Sequence, residues 1–206
     1  MFVSLSKPAI VLIISSPSGA GKSSLAQAII RSNSNIKFSV SMTTREKRNN
    51  EIDGKDYIFV TKEQFEKSIN DNIFLEFVKI FNHYYGIPKS EVLKDLNQGQ
   101  SIIFDINWQG ARTIRKVLQS YAVISVYILP PSIQELENRL KKRNKDSLES
   151  IYHRLEQAKE DIQHYNEYDY VIVNDNFDQA LIALQSILIA EQLKLSKIHF
   201  KKDYKF

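Results

Sequence analysis

The stretch Ser16-Pro17-Ser18-Gly19-Ala20-Gly21-Lys22-Ser23 follows an apolar, β-branched run from Ala9 to Ser15 and precedes a helical pattern from Ser23 to Arg31. Strand, glycine-rich turn and helix are the setting in which Gly-x-Gly-Lys-Ser binds phosphate. Backbone N–H groups of the turn and the positive end of the helix dipole would surround the β- and γ-phosphates of a nucleotide. Lys22 would add a positive charge, and the Ser23 hydroxyl could bind Mg²⁺. The sequence therefore predicts a phosphate-binding loop of the Walker A type.

Ser16 departs from the strict form of this motif, which begins with glycine. A serine fits the turn if its φ angle is not forced positive, and the segment from Gly19 to Ser23 is unaffected. The alternative is an ordinary strand–turn–helix unit in which the match is fortuitous. The residues predicted to bind the ATP phosphates are Ser16, Pro17, Ser18, Gly19, Ala20, Gly21, Lys22, Ser23 and Ser24.

The composition of the 206 residues limits the kinds of protein this can be. With 43% hydrophobic and 25% charged residues, the chain predicts one globular core. The absence of cysteine excludes disulfides and thiolate catalysis, and we expect a reducing compartment, the cytoplasm. The sequence predicts neither a signal peptide nor a membrane span. A net charge of +4 favours a small anionic substrate, or nothing in particular, over a nucleic acid.

Three further apolar runs predict the other strands of a central sheet. They are Ser101 to Asp105, Val123 to Leu129 and Tyr170 to Val173, each followed by a helical pattern, the last of which runs from about Phe177 toward Lys197. Fully apolar strands that alternate with helices indicate a parallel sheet covered on both faces. We therefore predict a three-layer α/β fold.

Two insertions interrupt this predicted core, which comprises residues 1–37, 98–131 and 165–206. Residues 38–97 mix strand and helix patterns, and residues 132–164 are charged and helical. Two insertions on one core suggest moving lobes.

Local signals inside the insertions predict individual elements. Phe38 to Ser41 is short and extended, and Phe74 to Ile80 with His83 to Gly86 predicts a hairpin. Capping-box spacings predict three helix starts, at Thr61 with Gln64, Ser132 with Glu135, and Asp146 with Glu149.

A cluster of arginines and hydroxyls in the first insertion is suited to phosphate. Arg45 and Arg48 lie three residues apart in a segment without an apolar stripe, and Tyr57 and Tyr85 are available to complete the shell. The planar fork of arginine makes bidentate contacts to phosphate oxygens. The alternative is a solvated loop with incidental charges.

Glu76 lies in the otherwise apolar strand segment Phe74-Leu75-Glu76-Phe77. A carboxylate in such a place needs a partner. Guanine offers two adjacent donors, N1–H and the 2-amino group, that one carboxylate can accept together, whereas adenine has no such edge. The alternative is simple alternation, with Glu76 on the solvent face.

An acid and three arginines could serve phosphoryl transfer. Asp105 ends a predicted buried strand, where a Walker-B-type acid would hold Mg²⁺ through water. Arg139 and Arg143 share one face of a helix, and Arg154 lies on the next helix. Arginines that close over ATP would neutralise developing charge and exclude water. The alternative for them is a solvated basic helix.

Seven motifs occur along the chain in the order SPSGAGKSS, SVSMTTREKR, DYIFV, FLEF, NHYYG, DINWQGA and YDYVIVND. In content, order and spacing they resemble the guanylate kinase family, over nearly the whole chain. The resemblance implies a P-loop NTPase core with a central parallel sheet, an inserted GMP-binding lobe at 38–97 and a helical lid at 132–164. It also implies Mg²⁺-dependent transfer of the ATP γ-phosphate to GMP, giving ADP and GDP, in purine nucleotide metabolism.

The same resemblance implies roles for individual residues. Arginines and tyrosines would hold the GMP phosphate, while Ser41 and Glu76 would read guanine. The implied GMP-binding residues are Ser41, Arg45, Arg48, Tyr57, Glu76, Tyr85 and Asp105. The implied catalytic residues are Lys22, Asp105, Arg139, Arg143 and Arg154. Asn174 is implied near adenine.

Two positions depart from the family pattern. Ile87 stands where the family commonly has a serine or threonine that touches the base, so guanine recognition would depend more on Glu76 and Ser41. Asn107 stands where the family has the second aspartate of Asp-Ile-Asp, and Asp105 remains.

Two other functions stay open at this point. One is a P-loop kinase with another nucleotide or a sugar phosphate as acceptor. The other is a non-catalytic guanylate-kinase-like domain that binds proteins, against which the retained phosphate-handling residues argue. The sequence also leaves open whether the protein is a monomer or a homodimer.

Overall fold

The computed structural model of the chain describes residues 8–80, 82–142 and 148–194. Its elements are, in order, β1 Ile10–Ser15, α1 Lys22–Ser32, β2 Ile36–Phe38, β3 Ser41–Thr43, β4 Tyr57–Phe59, α2 Lys62–Asn70, β5 Phe74–Ile80, β6 His83–Pro88, α3 Lys89–Asn97, β7 Ser101–Asp105, α4 Trp108–Val117, β8 Ala122–Leu129, α5 Ile133–Lys142, α6 Leu148–Ile162, a short 3-10 turn Tyr165–Glu167, β9 Tyr170–Val173 and α7 Phe177–Gln192. In the described part of the chain, none of the helices has both the length and the apolar character needed to cross a membrane.

The central sheet has five parallel strands in the order β2-β7-β1-β8-β9. Strand β1 lies in the middle and is buried along its whole length. Its side chains alternate between the two faces, so that Leu12 and Ile14 enter one core cluster while Val11 and Ile13 enter another. A strand that is apolar on both sides must be covered on both sides.

Helices cover each face of this sheet. Leu25 of α1 and Leu184 of α7 join the cluster on one face. Val92 of α3 and Ile114 of α4 join the cluster on the other. The predicted three-layer α/β fold is therefore confirmed.

A second, four-stranded sheet has the order β4-β3-β6-β5 and is built from residues between the first two core segments. Its helix α2 begins at Thr61 with the predicted capping box, in which the side chains of Thr61 and Gln64 each accept from the other's backbone N–H. Phe65 of α2 stacks between Phe74 and Tyr84, with ring centroids 4.5 and 5.2 Å away. This aromatic stack joins the helix to the predicted hairpin, which is present.

Two helices, α5 and α6, form a small layer of their own. Leu136, Leu140, Ile151 and Ala158 pack together between them. The Ser132 hydroxyl accepts from Glu135 N at 3.0 Å and caps α5 as predicted. The predicted helix start at Asp146 and the lid residue Arg143 lie outside the described residues.

One ion-pair cluster ties α4 to the turn that follows α6. Arg112 donates to both carboxylate oxygens of Glu167 at 2.7 and 2.6 Å, and His164 Nδ1 lies 2.7 Å from the same carboxylate. The His164 ring stacks on Trp108 with centroids 3.7 Å apart. The hydrogen bonds from Arg112 do most to lower the pKa of Glu167 to about 2, and the contact with His164 adds to this effect.

Two sequence predictions about element bounds are wrong. The extended segment predicted over Phe38 to Ser41 is two strands in different sheets, because Ser39 N still bonds Ile103 O of the core at 2.9 Å before the chain crosses over. Helix α7 ends at Gln192 instead of running toward Lys197, and residues beyond 194 lie outside the described part of the chain. The boundaries proposed for core, lobe and lid stay a prediction.

We expect Phe65→Ala to destabilise the protein by about 3–5 kcal/mol, because it removes the fully buried middle ring of the aromatic stack. Urea unfolding followed by circular dichroism measures this loss. The matched control is Phe77→Ala, since the Phe77 side chain is 48% exposed and should cost far less. Equal losses in the two variants would contradict the importance of the stack.

Candidate functional site

The loop between β1 and α1 has the backbone of a phosphate cradle. Gly19 and Gly21 have φ angles of +98° and +94°, in the left-handed region that favours glycine. Among the described residues other than glycine, only Asn72 has a positive φ. Ser16 therefore takes the place of the first glycine of the motif without backbone strain.

The loop is held from behind by Asn174, at the end of β9. The buried Asn174 amide donates to Ala20 O at 2.7 Å. A Cβ on Gly21 would lie only 2.3 Å from the same amide nitrogen, so the glycine is needed for close approach as well as for its φ. Ala20 itself packs into the core. The placement of Asn174 near adenine stays a prediction.

Lys22, Ser23 and Asp105 meet beside the loop. The pairing of β1 with β7 puts Ile14 opposite Asp105, which brings the carboxyl end of β7 next to the loop. Lys22 Nζ forms an ion pair with Asp105, and Ser23 Oγ donates to the other carboxylate oxygen at 2.8 Å. A hydroxyl and a carboxylate are oxygen ligands of the kind Mg²⁺ takes alongside substrate phosphates, so these residues fit the predicted metal.

A cavity of about 320 Å³ opens over the loop. Its lining combines most of the predicted phosphate-binding residues with two acids: Ser16, Pro17, Ser18, Gly19, Gly21, Lys22, Ser23, Ser24, Asp105 and Asp161. The sequence analysis missed Asp161, which lies near the end of α6. Burial is the main cause that raises the pKa of its carboxyl, and Lys22 opposes that shift.

A second cavity, of about 380 Å³, lies against the second sheet. It is lined by five of the residues predicted to bind GMP, namely Ser41, Tyr57, Glu76, Tyr85 and Asp105. Lys22 and Asp105 line this cavity as well as the first. The two cavities therefore share a wall.

Glu76 lines this second cavity next to an irregularity in its strand. The register of β5 against β6 shifts between Phe74 and Glu76, as in a β-bulge. Leu75 is buried in the core, and the next residue, Glu76, lines the cavity and is half-buried. Burial raises the pKa of the Glu76 carboxyl above its ordinary value of 4.5.

Arg45 is held beside the second cavity by Glu51, a residue that the sequence analysis missed. Arg45 Nη2 lies 2.6 Å from Glu51 Oε1, and its guanidinium carbon is 5.4 Å from the centre of the Tyr57 ring. The hydrogen bond from Arg45 lowers the pKa of Glu51. Arg48 is exposed, and its backbone N–H donates to Glu51 Oε2 at 2.9 Å. Glu51 thus organises the arginine segment.

The two departures from the family pattern have different surroundings. Ile87 is buried in the core cluster under the second sheet and also lines the cavity. Asn107 is the N-cap of α4, and its Oδ1 accepts from Gly110 N at 3.0 Å. Asparagine and aspartate cap helices about equally well, so this structural task does not require a carboxylate.

The described lid arginines occupy different positions. Arg139 bonds Glu135 at 2.9 Å and donates to Asn174 O at 3.0 Å, which ties α5 to the residue behind the phosphate loop. Arg154 lies on α6 and is half-buried. The predicted convergence of Arg139 with Arg143 lies outside the described residues.

A glycine-rich phosphate cradle at the edge of a parallel sheet, with a lysine and an acid at its rim, defines a P-loop nucleotide-binding protein. The family model described as guanylate kinase matches residues 9–191. The guanylate kinase of Rickettsia felis is 48% identical over 185 residues, which are 90% of this chain and 95% of that protein. That of Blochmanniella floridana is 50% identical over 186 residues, 89% and 87% of the two chains.

A solved structure gives the same result. The crystal structure of guanylate kinase from Anaplasma phagocytophilum superimposes with a TM-score of 0.74 at 32% identity, covering 94% of this chain and 92% of that one. The chain belongs to the guanylate kinase family.

We expect Asn174→Asp to lower the free energy of unfolding by about 1–3 kcal/mol, because a buried carboxylate would face the Ala20 carbonyl without a proton to donate. The affinity for Mg·ATP should fall with it. Urea unfolding and isothermal titration calorimetry measure the two effects. The control is Asn176→Asp, which keeps an exposed helix cap and should stay within about 0.5 kcal/mol. Similar losses in both variants would argue against the buttress.

Proposed function

We propose that this protein transfers the γ-phosphate of ATP to GMP, forming ADP and GDP. The observation that carries the proposal is the wall shared by the two cavities, where Lys22 and Asp105 face both. A donor phosphate in the first cavity and an acceptor phosphate in the second would meet at this wall. Family membership supports the same reaction.

The donor side is suited to a nucleoside triphosphate. Backbone N–H groups from Gly19 to Ser23 and the N-terminus of α1 would hold the β- and γ-phosphates. Ser23 and Asp105 would hold Mg²⁺, whose charge would neutralise the phosphates when it is bound. Lys22 would leave its pair with Asp105 for the phosphates, since both groups line the same cavity.

The acceptor side is suited to a purine monophosphate with a guanine edge. Arg45, with Tyr57 and Tyr85, would bind the phosphate of GMP. Arg48 would join them when the loop between β3 and β4 closes on that phosphate. Glu76 would accept N1–H and the 2-amino group together, and Ser41 would add a hydroxyl contact. Ile87 offers no hydrogen bond, so the carboxylate carries most of the base recognition.

The chemistry needs little from the protein beyond position and charge. An oxygen of the GMP phosphate is already anionic and can attack the γ-phosphorus without a general base. Lys22 would follow the charge that develops on the transferred group, and Asp105 would orient the acceptor. The lid residues Arg139, Arg143 and Arg154 would close over ATP and exclude water. Asn174 would lie near the adenine.

The remaining proposals concern surroundings. The sequence has no cysteine, which supports a reducing compartment, and we assign the protein to the cytoplasm. Its partners would be the small molecules ATP and GMP, with neither nucleic acid nor membrane.

Coupled assays with GMP, AMP, dTMP and IMP should give the highest kcat/KM for GMP. With GMP, Lys22→Ala should lower kcat by orders of magnitude, because the lysine acts on the transferred charge. Circular dichroism of that variant checks that the fold is intact. Comparable turnover of AMP and GMP would contradict the guanine assignment. Failure of the wild-type protein to bind Mg·ATP would favour a protein-binding domain instead.

The KM for GMP should rise as the pH falls through the raised pKa of Glu76, since only the ionised carboxylate accepts both guanine donors. The GMP phosphate itself titrates near a pKa of about 6. The same pH series on Glu76→Gln separates the two titrations, because in that variant only the GMP phosphate should still change the KM with pH. Identical profiles would contradict the role of Glu76.

At neutral pH, Glu76→Gln should raise the KM for GMP by about tenfold or more and leave the KM for ATP unchanged. Its free energy of unfolding should increase. When folding raises the pKa of a carboxyl, the folded protein loses stability as the pH rises from 4.5 through that raised pKa, because the carboxyl then ionises in a buried place. Glutamine does not ionise, so the Glu76→Gln variant avoids this loss.

A further inference from the structure

Gly110, in the first turn of α4, lies directly against the carboxylate of Glu76. A Cβ built on Gly110 would be 3.3 Å from Glu76 Oε1 and 3.4 Å from Glu76 Cδ. It would also lie 3.4 Å from the Oδ1 of Asn107, the residue that caps the helix. The approach to Glu76 Oε1 is tighter than nine in ten real Cβ contacts, so a neighbour would have to give by a few tenths of an ångström, whereas the two contacts at 3.4 Å are at the edge of ordinary van der Waals contact.

The backbone of Gly110 gives no reason for a glycine. It lies inside α4, and its φ is not among the positive values found at Gly19, Gly21, Gly54 and Gly99. Alanine is the better helix former at such a position. What the glycine provides is therefore the space in front of Glu76.

The neighbours of Gly110 differ in how freely they can move. Asn107 is fixed by its hydrogen bond to Gly110 N at 3.0 Å, which closes the first turn of the helix. The Glu76 carboxylate is the end of a longer, flexible side chain that lines the cavity from the second sheet. An added methyl group would therefore displace the Glu76 carboxylate and leave the helix cap in place.

We propose that Gly110 is a specificity-determining position that sets where the Glu76 carboxylate stands for base recognition. This inference rests on the proposed function, in which Glu76 accepts two adjacent donors of guanine. Strand β5 presents Glu76 to the cavity, and the bare surface of α4 at Gly110 lets its carboxylate lie there. Strand β5 of the second sheet and helix α4 beside the central sheet thus together define the position of the Glu76 carboxylate.

The test is Gly110→Ala, assayed with GMP and with IMP. We expect the KM for GMP to rise by about tenfold, since small misplacements of a recognition group have large effects. IMP lacks the 2-amino group and makes only one of the two contacts, so its KM should change less and the preference for GMP over IMP should shrink. The KM for ATP should stay unchanged. The urea midpoint of unfolding should not fall.

A double-mutant cycle separates this role from a general effect on the helix. If Gly110 acts through Glu76, Gly110→Ala should have little further effect on the KM for GMP in a Glu76→Gln background. The control is Gln109→Ala, an exposed neighbour in the same helical turn, which should leave the KM for GMP unchanged.

Three outcomes would overturn the inference: an unchanged KM for GMP in folded Gly110→Ala, equal changes for GMP and IMP, or full additivity with Glu76→Gln. Each is distinct from failure of the proposed function, which would appear as a wild-type protein without activity on GMP.

Discussion

The pairing of β1 with β7 is the constraint on which the rest of the site depends. Its register sets Ile14 opposite Asp105, so that the loop leaving β1 and the acid ending β7 meet at one edge of the sheet. A slip of one residue would exchange the side chains of the fully buried β1 between the two core clusters, which are close-packed around the present arrangement. The two core clusters therefore fix the register, and the register brings Lys22 to Asp105.

Local sequence signals predicted what short segments do. The glycines of the phosphate loop, the Thr61 capping box and the continuous apolar strands are determined by neighbours in the chain, and the structure confirms them. Ser16 fits the loop because its φ is not positive. The sequence alone shows that this condition must hold but does not give the angle. The parallel direction of the strands in the central sheet followed from the alternation of strands and helices along the chain.

Contacts between distant segments were harder to predict. Glu51 and Asp161 are ordinary charges in polar stretches of the sequence, and only folding brings Glu51 to Arg45 and Asp161 to the first cavity. Glu76 carried a signal, a carboxylate in an apolar strand, but whether it meets solvent or a cavity depends on what packs beside the strand, here the segment that carries Ile106 and Asn107. Gly110 gave no signal at all, because a glycine inside a helix is informative only once its neighbour is known.

The wall shared by the two cavities also determines what kind of molecule would block the protein best. A single compound with an adenosine at one end, a guanosine at the other and a polyphosphate bridge could place its two ends in the two cavities, with the bridge at Lys22 and Asp105. After one end binds, the other would be present at a high effective concentration near its own cavity. Selectivity would then come from the bridge length, since only members of a series that span Lys22 and Asp105 without strain would gain from both ends.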